Sequence, residues 1–173
     1  MLIQESIARY MLSFKRIKST MTPFAGWEKA ETILVTGVLN SNWGLSYWQE
    51  LYKVLASEKK KFHFLIFTEQ KETSHQPAPD MHVIGKKALN FYLQPKLELL
   101  PSSPKNGYDV LLCLSEQLHL PSQFICANSK ANFRVGCYND PFSAFDLILL
   151  RPNDMGTKEF TTEILRYLKK INI

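Results

Sequence analysis

The chain has 173 residues, of which 45% are hydrophobic and 21% are charged, and its net charge is +5. This balance is typical of a globular protein and excludes disordered and fibrous classes. No apolar run approaches the ~20 residues that a membrane-spanning helix needs, and the first residues lack the pattern of a secretory signal. We therefore expect one domain over residues 1–173, located in the cytoplasm and without a membrane partner.

The charged and metal-ligating residues point to no specific partner. Lysine and arginine are scattered over several segments, which predicts a solvated surface rather than a nucleic-acid site. The four histidines share no spacing typical of metal ligands, so no metal site is expected, and no cofactor is indicated. Cys113, Cys126 and Cys137 lie within apolar patterns, which predicts buried free thiols.

The first segment, from residue 2 to about residue 18, predicts an amphipathic helix. Its apolar side chains recur at helical spacing, at Ile3, Ile7, Tyr10, Met11, Phe14 and Ile17. We expect Ile7, Met11 and Phe14 to pack on the same domain or on a second copy, which makes a homo-oligomer or a partner protein possible through this helix. A membrane-surface element with a regulatory role is the alternative, because the other faces are basic.

The next segments predict a β-α-β unit, with a strand at 31–37, a helix at 45–57 and a strand at 61–67. This order favours parallel strands joined by a right-handed crossover. Asn40, Ser41 and Asn42 precede the helix, and each has a side chain that can cap it. Residues 68–80 are polar and contain two prolines, which predicts a loop.

After a short strand predicted at 81–84, prolines interrupt residues 85–107 and favour irregular structure. Two later segments repeat one pattern, an aromatic residue, an Asp and an apolar run, at 108–114 and from Phe145. Such runs are typical of strands buried on both faces. Pro121 favours a short helix at 121–129, and a final helix is predicted at 158–171.

The last two predicted strands, at 132–138 and 145–150, are separated by about six residues. A parallel crossover needs about a dozen or more, so we expect this pair to be antiparallel. The sequence therefore predicts a Rossmann-like three-layer α/β fold. Its sheet should have five or six mostly parallel strands, with the antiparallel pair near the C-terminus.

The sequence contains no glycine-rich phosphate loop and no nucleophile elbow. It therefore does not indicate whether the protein is an enzyme. In open α/β sheets, ligands bind beyond the carboxyl ends of the strands, where helix amides favour an anion. If the strands ending at Gly37 and Leu114 are neighbours, the candidate ligand-binding residues are Asn40, Ser41, Asn42, Ser115 and Glu116. Arg151 and Asp154 are interpreted as a local ion pair and helix cap, with an anion site as the alternative.

Several motifs of the second half resemble a family of small uncharacterised proteins from the Bacteroidetes. They are Tyr108-Asp-Val-Leu-Leu-Cys-Leu, Asn128-Ser-Lys-Ala-Asn-Phe-Arg-Val-Gly136, Phe145-Asp-Leu-Ile-Leu and Phe160-Thr-Thr-Glu-Ile-Leu-Arg-Tyr-Leu. Tyr108-Asp109, Ala131 and Arg134-Val135-Gly136 are also similar, in order, to the N-terminal half of lipopolysaccharide heptosyltransferases. That similarity implies a Rossmann-like layout. It does not imply transferase activity, because Val38-Leu-Asn-Ser stands where those enzymes have Gly-Asp.

Three functions follow from these observations as hypotheses. The first is a non-enzymatic Rossmann-like module that binds a partner protein or a small ligand. The second is an enzyme, or an enzyme subunit, that acts on a nucleotide or sugar derivative. The third is a regulatory protein that acts at a membrane surface through its first helix.

Overall fold

The computed structural model describes residues 2–13, 24–41, 43–69, 75–96, 104 and 107–171. In this part of the chain there are four α-helices: α1 (Leu2–Ser13), α2 (Leu45–Ser57), α3 (Leu120–Asn128) and α4 (Thr157–Lys170). The strands are β1 (Thr32–Leu39), β2 (Lys61–Thr68), β3 (His75–Ala78), β4 (Met81–Gly85), β5 (Tyr108–Leu114), β6 (Ala131–Gly136) and β7 (Leu147–Ile148). No helix among these residues is long and apolar enough to span a bilayer.

All described strands belong to one mixed sheet in the order β3-β4-β2-β1-β5-β6-β7. β1 pairs in parallel with β2 on one side and with β5 on the other, as the β-α-β order predicts for the first pair. β4 is parallel to β2, and β6 is parallel to β5. The antiparallel pair is β3 with β4, at one edge of the sheet.

The predicted antiparallel pair near the C-terminus is wrong, because β6 and β7 are adjacent and parallel. β6 ends at Gly136, where the ring of Phe145 lies so close that a Cβ on Gly136 would be 2.2 Å from it. Residues 137–146 then fold back compactly, and the Asp140 carboxylate accepts a hydrogen bond from the Phe142 amide at 2.9 Å. The connection is thus longer than the predicted one, and it reaches a two-residue parallel strand without a helix.

The sheet has seven described strands rather than five or six, because β3 lies within the segment predicted as a loop. Residues 70–74 of that segment lie outside the described residues. The described residues between β2 and β4 form an edge strand rather than a crossover helix.

Helices cover both faces of the sheet. α2 and α4 pack on one face through Trp48, Leu55 and Ile164, which share a cluster with Ile33 and Val35. α3 packs on the other face through Ile125 and Cys126. The three cysteines are free and buried, which confirms the predicted buried thiols.

α1 forms an outer layer on α3, and its described inward side chains include two that were not predicted, while Ile7 is half-buried and the Met11 side chain lies outside the described part. Ala8 and Leu12 are buried against Leu120 of α3, whereas Ile3 is 72% exposed and Tyr10 is 65% exposed. The small Ala8 side chain allows close approach of the two helices, which an apolar stripe alone does not reveal. Residues 14–18 of the predicted helix, including Phe14, lie outside the described residues, and the oligomeric role of α1 stays a prediction.

Gly37 of β1 is a point of close approach between the sheet and α2. A Cβ at this position would lie 2.3 Å from the carbonyl oxygen of Leu114 and 2.6 Å from Cη2 of Trp48. Neither atom belongs to a flexible side-chain end, so the space admits only glycine. The strand-end geometry of β1 and β5 therefore depends on this residue.

His119 is the N-cap of α3. Its Nδ1 accepts a hydrogen bond from the Ser122 amide at 3.3 Å and lies 2.8 Å from Ser122 Oγ. An amide can only donate, so Nδ1 is unprotonated and the neutral ring carries its proton on Nε2. Desolvation by burial lowers the pKa of His119 to about 4, which keeps this neutral form.

We expect Gly37→Ala to lower the free energy of unfolding by about 2–3 kcal/mol, because the added methyl group overpacks a rigid contact. Urea unfolding at neutral pH measures this loss. Gly156→Ala is the matched control, since nothing lies within 4 Å of a Cβ there, and its loss should stay below about 1 kcal/mol. Equal losses in the two variants would contradict the close-approach argument.

The His119 cap predicts a specific pH dependence of stability. In the unfolded chain the pKa is near 6.5, so between about pH 6.5 and pH 4 the unfolded state binds a proton that the folded state does not. The contribution is complete above that window, and up to about 3 kcal/mol is lost as the pH falls through it. His119→Asn keeps a capping acceptor without a titrating ring. Parallel stability curves for wild type and variant over this range would contradict the assignment.

Candidate functional site

The carboxyl ends of β1 and β5 meet at the centre of the sheet. Gly37 pairs directly with Leu114, which confirms the adjacency on which the candidate site depended. β2 and β4 lie to one side of β1, and β6 and β7 lie to the other side of β5. The strand order therefore reverses between β1 and β5, which is the point where open α/β sheets bind ligands.

The loop after β1 folds around Asn40. The Asn40 Oδ1 atom accepts a hydrogen bond from the Trp43 amide at 2.9 Å, and the Asn40 amide donates to the Trp43 carbonyl at 3.3 Å. Asn40 thus closes its own turn, and the N-cap of α2 is Gly44, without a side-chain cap. The prediction that Asn40, Ser41 or Asn42 caps α2 is wrong, because Gly44 is the N-cap. The Asn40 side chain instead bonds to the Trp43 amide, in the turn that precedes the helix.

Trp43 fills the space between α2 and the loop after β5. Its indole is buried, packs against the rings of Tyr47 and Trp48, and donates from Nε1 to Glu116 Oε1 at 3.2 Å. In dinucleotide-binding folds, this helix N-terminus faces a diphosphate. Here an indole and a carboxylate occupy that side of the crevice, which is unfavourable for an anion.

Glu116 forms an ion pair with Arg151, whose Nε lies 2.6 Å from the same carboxylate oxygen. Arg151 also donates from Nη1 to the Met155 carbonyl. The predicted local ion pair of Arg151 with Asp154 is therefore wrong, because Arg151 pairs with Glu116 in the loop after β5. Asp154 is not the helix cap, since Gly156 is the N-cap of α4.

A small chamber of about 210 Å³ opens at the junction of these loops. Three of the predicted candidates, Asn40, Ser115 and Glu116, line it together with Val38, Glu69, Gln117, Leu118 and His119. Ser41 is exposed next to Asn40 and is not among the lining residues. Asn42 lies outside the described residues.

A large chamber of about 370 Å³ shares Glu69, Leu118 and His119 with the small one, so the two chambers are neighbours, and together they are called the cleft. It lies between α1, the end of β2, the start of α3 and the segment 86–93. Its apolar wall consists of Phe67, Leu89, Leu93, Leu118, Leu120 and Pro121, and its polar rim consists of Gln4, Glu5, Arg9, Thr68, Glu69, Lys86 and His119.

The large chamber was not predicted from the sequence, because its residues come from separate segments without a shared motif. Phe67 ends a regular apolar strand, and its ring centroid lies 5.4 Å from that of His119. Arg9 belongs to the basic side of the first helix. The sequence did predict irregular structure in the region that contains residues 85–96. It did not indicate that these residues line a chamber.

The side chains of the cleft do not form a nucleophilic relay. Ser115 Oγ donates to the Gln117 carbonyl at 2.8 Å, whereas His119 Nδ1 contacts Ser122. Neither bond joins the serine to the histidine. Within the described residues, no group of three or more His, Cys, Asp or Glu side chains is arranged to hold a metal ion.

Similarity to known proteins is found at the level of a family. No curated protein and no solved structure matches this chain significantly. The resemblances to Bacteroidetes proteins and to heptosyltransferases therefore stay predictions. A model of a family of unknown function matches residues 13–171, a range that includes α2 to α4 and the whole sheet. The chain therefore belongs to the family of unknown function DUF6913.

Proposed function

We propose that this protein is a Rossmann-like module that binds a small ligand in the cleft without transforming it. The observation that carries the proposal is that two neighbouring chambers lie at the carboxyl edge of the sheet, where they share Glu69, Leu118 and His119. Ligand sites of open α/β sheets lie at this edge. A volume of about 370 Å³ for the large chamber also falls in the usual range for ligand pockets.

The strand order supports the Rossmann-like part of the proposal. Without the edge strand β3, the order is β4-β2-β1-β5-β6-β7, which follows the doubly wound pattern with its reversal between β1 and β5. The main departure is the connection from β2 to β4, where the described residues form β3. The large chamber lies beside the end of β2, next to this departure.

The lining of the cleft supports a small amphipathic ligand. Phe67, Leu93 and Leu118 offer an apolar wall for a planar or aliphatic part. The His119 ring carries its proton on Nε2 because Nδ1 accepts from Ser122, so the ring is suited to donate to a ligand acceptor. Arg9 and Lys86 on the rim are balanced by two carboxylates, which favours an uncharged or singly charged ligand.

Binding without catalysis is favoured over an enzyme acting on a nucleotide or sugar derivative. The Glu116 carboxylate is paired with Arg151, and the Ser115 hydroxyl donates to a carbonyl rather than to a base. Trp43 stands where a nucleotide diphosphate would approach α2. As part of the same proposal we keep the cytoplasm as the compartment, supported by the three free buried thiols.

We expect the native protein to bind the fluorescent anion 8-anilinonaphthalene-1-sulfonate at one saturable site. Its aromatic rings match the apolar wall, and its sulfonate matches Arg9 and Lys86 on the rim. Leu118→Trp should weaken the dye at least about tenfold, because the larger side chain fills the junction of the chambers. Fluorescence titration with direct excitation of the dye measures this change.

Leu150→Trp is the matched control, because Leu150 is exposed and does not line the cleft. It makes the same substitution and should leave the dye affinity unchanged. The melting curves of both variants verify that each is folded. Equal dye binding by Leu118→Trp and wild type would contradict a site in the cleft.

A thermal-shift screen over nucleosides, nucleotides, nucleotide sugars and small aromatic carboxylates tests the ligand class. A ligand of the folded state at 100 times its Kd adds about 2.7 kcal/mol, which raises Tm by roughly 5–10 °C for a chain of this size. We expect stabilisation by an uncharged or singly charged compound that is lost in Leu118→Trp. Stabilisation by nucleotide diphosphates that survives in this variant would favour the enzyme hypothesis instead.

A further inference from the structure

Two neighbouring aromatic rings are presented to solvent at the tip of a tight turn. Phe91 is 55% exposed and Tyr92 is 43% exposed. The Asn90 side-chain oxygen accepts from the amides of Tyr92, at 2.9 Å, and Gln94, at 3.0 Å. The Asn90 amide also donates to the Gln94 carbonyl at 2.8 Å. The turn is thus a hydrogen-bonded structure that holds both rings at the surface.

Leu93 explains why the two aromatic residues point outward while their apolar neighbour does not. It adopts a φ of 58°, which is unfavourable for a residue other than glycine. Its side chain packs on the cluster of Ala8, Leu12 and Leu120 between α1 and α3. The strained residue therefore anchors the turn on α1 and α3, and Phe91 and Tyr92 stay on the solvent side.

The charged residues of the segment 86–96, which contains this turn, are all basic. Lys86, Lys87 and Lys96 are exposed, and residues 86–96 contain no Asp or Glu. The carboxylates of Glu5 and Glu69 line the neighbouring cleft rather than belonging to this segment. Exposed aromatic rings flanked by lysines, within a described segment (86–96) that itself has no Asp or Glu, match a surface that is apolar inside and negatively charged outside.

We propose that residues 86–96 dock this protein on an anionic phospholipid membrane, with Phe91 and Tyr92 in the interfacial region and the lysines at the headgroups. Aromatic rings favour the membrane interface, and each lysine near an anionic surface adds attraction. Single-stranded nucleic acid fits less well, because the two rings stand at 88° to each other and offer no pair of parallel stacking faces.

Co-sedimentation with vesicles tests this docking. The full chain should bind vesicles of phosphatidylcholine mixed with phosphatidylglycerol and should not bind vesicles of phosphatidylcholine alone. Phe91→Ser with Tyr92→Ser, and separately Lys87→Glu with Lys96→Glu, should each weaken binding at least about tenfold. Raising the salt concentration should weaken the wild-type protein as well. Lys86 is left unchanged because it also lines the cleft.

Tyr167→Ser with Lys170→Glu is the matched control, since both residues are exposed on α4, and it should bind like wild type. The proposal is overturned if the wild-type chain does not bind the anionic vesicles, or if the aromatic double variant binds them as tightly. It is also overturned if the control loses as much affinity as the test variants. Binding of oligo(dT) that depends on Phe91 and Tyr92, without vesicle binding, would identify nucleic acid as the partner instead.

Discussion

The contact of Trp48 with Gly37 is the interaction on which the layout of the carboxyl edge depends. The Trp48 indole lies so close that a Cβ on Gly37 would be 2.6 Å from its Cη2 atom. Its Nε1 donates to the Trp43 carbonyl at 3.0 Å. That bond helps to hold the loop in which Trp43 reaches Glu116, and Glu116 in turn pairs with Arg151. One chain of contacts thus joins β1, α2, the loop after β5 and the approach to α4, and places the Trp43 indole beside the N-terminus of α2.

The larger chamber of the proposed ligand site lies beside α3. There the connection from β2 to β4 includes an edge strand rather than a helix in its described residues, and α1 packs on α3 instead of on the sheet. The cleft lies between these elements, with Phe67 and His119 on its wall. The same packing of α1 and Leu93 on α3 also fixes the turn that presents Phe91 and Tyr92. The packing of α1 on α3 therefore contributes both to a wall of the cleft and to the position of the exposed turn.

The sequence predicts elements well where a periodic apolar pattern meets clear ends. The helix at 45–57 and the strand at 108–114 were predicted with the bounds that the structure has. Asn40, Ser115 and Glu116 were brought together as expected, because parallel strands end at one edge. The parallel pairing of β6 with β7 was not predictable from local patterns, since it is made by contacts between separate segments, among them the Arg134 amide donating to the Asp146 carboxylate at 2.8 Å. The cleft was missed for a related reason, because its walls come from segments that meet only in the folded chain.

The central claim is the proposal that a ligand binds in the cleft beside α3 and not at the N-terminus of α2. A ¹H–¹⁵N correlation spectrum recorded during titration with 8-anilinonaphthalene-1-sulfonate tests it directly. The account predicts shifts of the backbone amides of Lys86, Leu118 and His119, with the Ser46 amide and the Trp48 indole N–H unchanged. Shifts of Ser46 and Trp48 with unchanged signals from Leu118 and His119 would contradict it.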